Sequence, residues 1–535
     1  MPGTLGAQAG REAALAAFVA LGVGLALLAL GPPPGDLPAH LYRTELVRDG
    51  LLVWDTFWYA GHYPFAAYSL LYYFPAALVG NDVLALASVV AAAVLFALLA
   101  EREWGDAARW PARAFAVVAC GPLYTGTYPY AAGLAVSLAA LVALQRRRPW
   151  LSGALALVAS GLAPLAFLYL CLAGVAAFLA RGPRLDRPAL VFGGALLVGG
   201  LVQGALLVLY PHEAEYPFFR VSEVAGLVAF ALACAALAAR ARGGRVVAWV
   251  FALWALGAAV TFLVASPVGE NVTRLRGIAL PLALLAAALA SYRPRWLSAL
   301  VLAAAVTYTL VPYVGSALHR TDTRSAEASF WAPALGVLAG RWSPDYRVEV
   351  VPTGDHWESY WVPRAGFPIA RGWFRQLDIA QNPLFYEEPL EPEAFRAWLR
   401  SLGVRYVLLP ETQLGRVGEE REAELLRSGR SGLLEIARAG SVVVYELPDP
   451  SPLLVGPAAA RVTALEPDLV AAFVAEPGIY RLAIRWTPTW RVEHGSVCVG
   501  EAPDGMTEVV AREEGAFLLG VSAFPKAPGC PEGAG

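Results

Sequence analysis

Asp36 and His40, in the stretch GDLPAHLYRTELVRDG at 35–50, are the first residues in this chain whose types and spacing suit proton transfer. A separation of four lets both side chains share one side of a short helix. Asp36 stands where the first long apolar run ends, and an acid at a membrane edge is costly unless it has a partner or a task. A carboxylate there can serve as general base toward a hydroxyl group, with His40 as the second catalytic candidate. Asp is also a favoured N-cap, so Asp36 equally suits the start of a helix over 37–49. His40 suits an ordinary hydrogen-bonded packing role as well.

Further polar residues follow on the segments read as outer loops. Glu45, Asp55, His62 and Tyr63 share the first of these loops. The segment 211–223 carries His212, Glu213, Glu215 and Arg220, and SPVGENVTRLRG at 266–277 carries Glu270, Asn271, Arg274 and Arg276. Outer arginines beside a membrane suit a lipid phosphate, because a guanidinium presents several donors in a plane that matches phosphate oxygens. His62, Tyr63, Arg220, Asn271, Arg274 and Arg276 are therefore the substrate-binding candidates. For Arg274 the plainer account is a pair with Glu270, one turn away.

The elements that must position these residues are membrane spans. Of 535 residues 57% are hydrophobic and 16% charged, and the mean hydropathy is +0.52. That is the composition of a polytopic α-helical membrane protein. The net charge of −2 gives no sign of a nucleic-acid partner. Apolar runs at 12–31, 83–100, 112–124, 130–145, 151–163, 164–181, 189–210, 223–240, 246–265, 278–290 and 297–315 predict about eleven spans. No small-residue cleavage site follows the first run, which predicts an uncleaved first span.

Arginines cluster at every second boundary: 102, 109 and 113; 146–148; 181, 184 and 187; 240, 242 and 245; 293 and 295. The positive-inside bias then puts these five clusters and the N-terminus in the cytoplasm, and the chain after 315 outside. The same count requires that the apolar stretch 66–80 does not cross. It reads as an interfacial helix broken at Pro75, with Tyr72 and Tyr73 as aromatic-belt anchors. Residues 32–82 thus form one outer loop on a membrane domain of residues 1–315.

Beyond 315 charge rises and apolar runs shorten. Helices are predicted at 326–340, 391–402 and 419–428, and strands at 347–352, 404–410 and 441–447. These make an extracytoplasmic α/β domain over 316–450. PDPSP at 448–452 is a linker, and short strands separated by turns predict a β-sandwich over 451–535. Cys498 and Cys530 can form a disulfide if that region lies outside; Cys120, Cys171 and Cys234 read as packing residues. There is no Walker loop, GxSxG, HExxH or CxxC, so neither a metal nor a cofactor is expected.

An acid just after the first span, followed by YYFPAAL at 72–78, resembles the GT-C superfamily of polytopic glycosyltransferases. GDLPAHLYRTELVRDG, WYAGHYPF (58–65), SPVGENVTRL (266–275) and ARGWFRQLDIAQNPLFY (370–386) resemble bacterial membrane proteins labelled as related to 6-pyruvoyl-tetrahydropterin synthase. That label implies no pterin chemistry, since the His-rich zinc site such a synthase needs is missing. Many GT-C members carry two adjacent acids, whereas Leu37 follows Asp36 here. The resemblance implies a GT-C-like fold in the bacterial inner membrane. It implies a polyprenyl-phosphate-linked sugar as donor, and a glycan, lipid or protein of the cell envelope as acceptor. The rival expectations are a transporter or flippase of lipid-linked precursors, and a non-catalytic carbohydrate-binding envelope protein.

Overall fold

In a computed structural model, residues 2–65, 69–182, 185–210, 220–266, 268–320, 322–387, 389–415, 418–524 and 530 are described. The chain is a multi-pass helical membrane protein with a sheet-rich C-terminal region. It divides into two compact units: Met1–Leu37 with Tyr68–His319, and Pro38–Ala67 with Arg320–Gly535.

Nine helical segments among the described residues in the first unit are long and apolar enough to cross a bilayer. One of them, Asn81–Thr125, contains the α-helices Asn81–Trp104, Arg109–Val118 and Gly121–Thr125, the first two joined by a 3₁₀ turn at Gly105–Ala108. Pro149–Leu162 is a shorter apolar helix. Each of the eleven apolar runs lies on helical structure, although 112–124 is divided between Arg109–Val118 and Gly121–Thr125; the break expected at GLAP occurs at Ala163, between Pro149–Leu162 and Pro164–Arg181. Pro164 opens the second of these helices, where its missing N–H costs nothing. The helices bury small residues, such as Ala85, Ala92, Ala93, Ala97 and Ala100 along Asn81–Trp104. Small side chains let backbones approach closely, which drives helix association where lipid removes the hydrophobic incentive.

Among the described residues of the stretch 66–80 the helix is Tyr73–Val79, whose seven residues at about 1.5 Å each are far too short to cross. Tyr72 and Tyr73 depart from the belt-anchor expectation. Both are fully buried, with their rings edge to face at 5.3 Å, so they pack the protein interior and do not face headgroups. Tyr68, His212, Glu213 and Glu215 lie outside the described residues.

Among the described residues, the second unit contains three four-stranded sheets. The first, in spatial order β1-β2-β4-β3, comprises β1 (Arg347–Val350), β2 (Val404–Pro410), β3 (Leu434–Ala439) and β4 (Val442–Glu446). β1 and β2 are parallel, and β4 runs antiparallel to both of its neighbours. Two further sheets follow. One is built from β5 (Leu454–Val455), β8 (Gly478–Arg485), β10 (Val497–Glu501) and β11 (Met506–Ala511); the other from β6 (Ala460–Glu466), β7 (Leu469–Val474), β9 (Trp490–His494) and β12 (Gly515–Val521). The expected helices appear as Ala328–Ala339, Pro392–Ser401 and Glu419–Arg427. Gly403 stops the second of these at φ 70°, a left-handed conformation that glycine takes without penalty. Cys498 and Cys530 are joined in a disulfide.

The compact division cuts across the boundaries expected from sequence. Pro38–Ala67 packs with the C-terminal region, and the α/β and sandwich portions fall in one unit. Backbone hydrogen bonds show why: Ile369 N–H donates to Phe57 O at 2.8 Å, Thr56 N–H to Pro467 O at 2.7 Å, and Arg485 N–H to Ala60 O at 2.7 Å. The fully buried Trp58 adds its indole N–H to Ser359 O at 2.9 Å.

Candidate functional site

The candidate site lies wholly within the first unit. Asp36, Tyr130, Arg274, Arg276, Thr309 and Tyr313 line one cavity of about 240 Å³. Asp36 directly precedes the helix Leu37–Arg48, and its backbone N–H donates to Thr125 O at 3.1 Å. Gly126 makes this approach feasible. Its φ is +89°, and a Cβ there would stand 2.8 Å from the Asp36 nitrogen. Any larger residue would be strained and would push Asp36 away.

The two arginines sit on Gly269–Ile278, a ten-residue stretch of 3₁₀ geometry. Such runs rarely exceed three or four residues, because their hydrogen bonds are poorly aligned. Irregular backbone at membrane depth survives only where the protein satisfies its polar groups. Three helices do so here. The Tyr169 hydroxyl, from Pro164–Arg181, donates to Val272 O and accepts from Leu275 N–H, both at 3.0 Å. Trp254, from Arg245–Leu263, donates to Val272 O at 2.9 Å. Thr309, from Arg295–His319, donates to Arg276 O and accepts from Leu280 N–H, both at 3.2 Å. Buried side chains thus fix the backbone from which both guanidiniums project. The cavity combines one carboxylate, two guanidiniums and several hydroxyls: groups suited to holding an anion and receiving a proton from an alcohol.

The other candidates lie elsewhere. His40 is 2% exposed and does not line the cavity, and its carbonyl accepts from Thr44 Oγ1 at 2.6 Å. It belongs to the second unit, whereas Asp36 belongs to the first. His62 is buried 3.5 Å from Asp55 and stacks on Trp58 at 5.4 Å. Tyr63 is buried, with its hydroxyl 2.8 Å from that of Thr487. Glu45 accepts from Tyr360 at 3.0 Å and pairs with Arg364 at 3.1 Å. All of these serve the second unit's packing. Arg220 is exposed at the start of Val221–Ala239, and Asn271 offers its carbonyl to Tyr169; neither lines the cavity.

The second unit buries its charge in networks. Asp55 accepts from Phe57 N–H at 2.9 Å and from Tyr42 at 3.1 Å. Complete burial outweighs these bonds and the nearby Arg43 and Arg347, pushing its carboxyl up to about 7. Arg371 meets Glu349 at 2.6 Å and also pairs with Glu422, while Asp378 lies 3.9 Å away. Burial pushes Glu422 up to about 7 and Glu349 well above the ordinary carboxylate range, since one cation cannot neutralise the whole cluster. Asp378 also accepts from Asn382 at 2.8 Å and Tyr386 at 2.7 Å, and Arg371 lies 3.9 Å from the Phe385 ring centroid. ARGWFRQLDIAQNPLFY is thereby accounted for as the framework of a buried network.

Tyr130, Thr309, Tyr313 and Gly126 escaped the sequence reading. The available signal was a set of hydroxyl side chains on otherwise apolar helices. No protein-family model matches the chain, and no curated protein matches it.

Proposed function

We propose that the chain is a membrane glycosyltransferase of GT-C type, transferring a sugar from a polyprenyl-phosphate donor to a cell-envelope acceptor on the outer face of a bacterial inner membrane. The observation that carries this reading is the convergence of Asp36 with Arg274 and Arg276 on one cavity, from segments more than two hundred residues apart. In the reaction, an acceptor hydroxyl oxygen forms a bond to the anomeric carbon of the donor sugar. The bond from that carbon to the phosphate oxygen breaks, and the polyprenyl phosphate departs with the electron pair. Asp36 takes the hydroxyl proton, and Arg274 and Arg276 hold the phosphate as its charge grows. No metal is assigned a role.

The topology that accompanies this reading has eleven crossings, a cytoplasmic N-terminus and an outer second unit. The Cys498–Cys530 disulfide supports that side for the second unit, because such bonds persist in oxidising compartments. The sheets of that unit would bind the acceptor glycan. The test is sugar transfer from labelled polyprenyl-phosphate donors in membranes carrying Asp36→Asn. A loss of 10²-fold or more is expected; undiminished transfer removes Asp36 from the mechanism.

A second reading, translocation of a lipid-linked precursor, is favoured by an apolar cavity that adjoins the polar one inside the bundle. The Asp36→Asn variant separates the two. It should abolish transfer under the first reading and leave flipping of a fluorescent lipid-linked sugar intact under the second.

A further inference from the structure

Two tyrosines flank Pro129 at the start of the helix Tyr128–Gln145, and their hydroxyls are treated differently. Tyr128 is buried and donates to Asp82 Oδ1 at 2.9 Å. Tyr130 lines the Asp36 cavity. Its hydroxyl oxygen is shielded from solvent, yet among the described residues it has no hydrogen-bond partner. A buried hydroxyl left unbonded is costly, and native proteins rarely keep one without a reason. At the wall of a cavity, the partner that completes the bond comes from what the cavity holds.

The neighbours say what chemistry that partner has. The Tyr130 ring packs edge to face on Tyr169 at 6.3 Å. Tyr169 also bonds the backbone on both sides of Arg274, at Val272 O and Leu275 N–H. One side chain thus sets both the Tyr130 ring and the segment that carries the guanidinium. Arg274 and Tyr313, which share the cavity, act electrostatically on the Tyr130 hydroxyl. A guanidinium offers only donors, and a tyrosine hydroxyl beside it has one more to give. Such a set converges on an anionic oxygen, and a phosphate has enough oxygens to accept from all of it. We infer that Tyr130 donates its hydroxyl hydrogen to the phosphate held by Arg274, as a neutral donor beside the two guanidiniums. The inference rests on the phosphate reading of this cavity and adds a binding residue which that reading does not require.

The test measures binding by calorimetry and melting temperature for the full chain in nanodiscs. The probes are a short-chain prenyl monophosphate, the matching prenyl alcohol and inorganic phosphate. Tyr130→Phe removes the oxygen alone. Without ligand the variant should melt no lower than the wild type, because no bond within the protein is lost. Its Kd for the prenyl monophosphate should rise about tenfold or more, as for loss of one hydrogen bond to a charged group, with the alcohol unaffected. A lower melting temperature without ligand, or an unchanged Kd, overturns the inference. So does an equal loss for phosphate and alcohol, which places the hydroxyl on another part of the ligand. Arg274→Gln separates the inference from the reading beneath it. If Arg274→Gln weakens phosphate binding and Tyr130→Phe does not, the phosphate reading stands and the role of Tyr130 falls. A wild type that binds the alcohol as tightly as the phosphate overturns both. Inorganic phosphate bound as tightly as the prenyl ester, with the same dependence on Tyr130, keeps the donor and replaces the lipid by the free ion.

Discussion

Pro38–Phe65, a helix followed by an irregular stretch, and Gly269–Ile278, a run of 3₁₀ geometry, both carry polar residues beside apolar runs, yet they are put to opposite uses. In the first, Trp58, Asp55, His62 and Tyr63 are buried and hydrogen-bonded among elements of the second unit. In the second, Val272 and Leu275 are the buried, bonded residues, while Arg274 and Arg276 line a cavity. The difference lies in which groups the partners satisfy. Around Pro38–Phe65 the neighbours take up backbone and side chains together, leaving a core. Around Gly269–Ile278, Tyr169, Trp254 and Thr309 bond the backbone, while Arg274 and Arg276 line the cavity. A polar segment becomes a candidate site when its backbone is held by neighbours and its charged side chains line a cavity.

This contrast can be broken by substitution. Trp58→Ala should have the largest effect, destabilising the second unit by about 3–5 kcal/mol, as expected for deleting a fully buried aromatic side chain. Chemical unfolding of the full chain, followed by near-ultraviolet dichroism, reads this. A stability change under 1 kcal/mol would mean that Pro38–Phe65 is not core. Arg274→Gln should lower transfer by about 10²–10³-fold, the usual loss for one electrostatic donor, with the unfolding midpoint nearly unchanged. Thr309→Val keeps the shape but strips the bonds to Arg276 O and Leu280 N–H, and should cost about 1–3 kcal/mol. Its transfer rate should fall with it, because the arginine-bearing backbone loosens.

The smallest effect concerns pH. The Asp55 carboxyl sits at about 7 in the folded chain, above its ordinary value of 3.8. The folded state therefore holds the proton more tightly than the unfolded state. The associated stability is fully present below about pH 4 and is lost as pH rises toward 7. Glu422, also pushed up to about 7, acts in the same direction. Asp55→Asn should flatten part of that slope in melting temperatures measured between pH 4 and 7. An unchanged slope would show that Asp55 is ionised in the fold.

The multi-pass helical class was legible, because the length of an apolar span is set by bilayer thickness. The α/β pattern after 326 was legible for a similar reason: Gly403 separates a helical period from a buried strand. The fate of 38–65 was not. Its partners, Ser359, Phe374 and Thr487, lie more than three hundred residues away, and nothing local distinguishes an outer-loop histidine from a core one. The strand Leu434–Ala439 was missed because its exposed face interrupts the apolar alternation. Within the cavity, Asp36, Arg274 and Arg276 stood out because charge at a membrane edge is costly. Tyr130 and Thr309 did not, since an isolated hydroxyl is unremarkable on an apolar helix.

The central claim is that Asp36 and Arg274 act on one substrate in one cavity. It is tested most directly by measuring sugar transfer for the wild type, Asp36→Asn, Arg274→Gln and the double variant in one membrane preparation. Groups that act as a unit lose little more together than apart. Each single change should lower transfer by about 10²-fold or more, and the double should fall no further than the worse single. Full activity in either single variant, or losses that simply multiply in the double, would contradict the account.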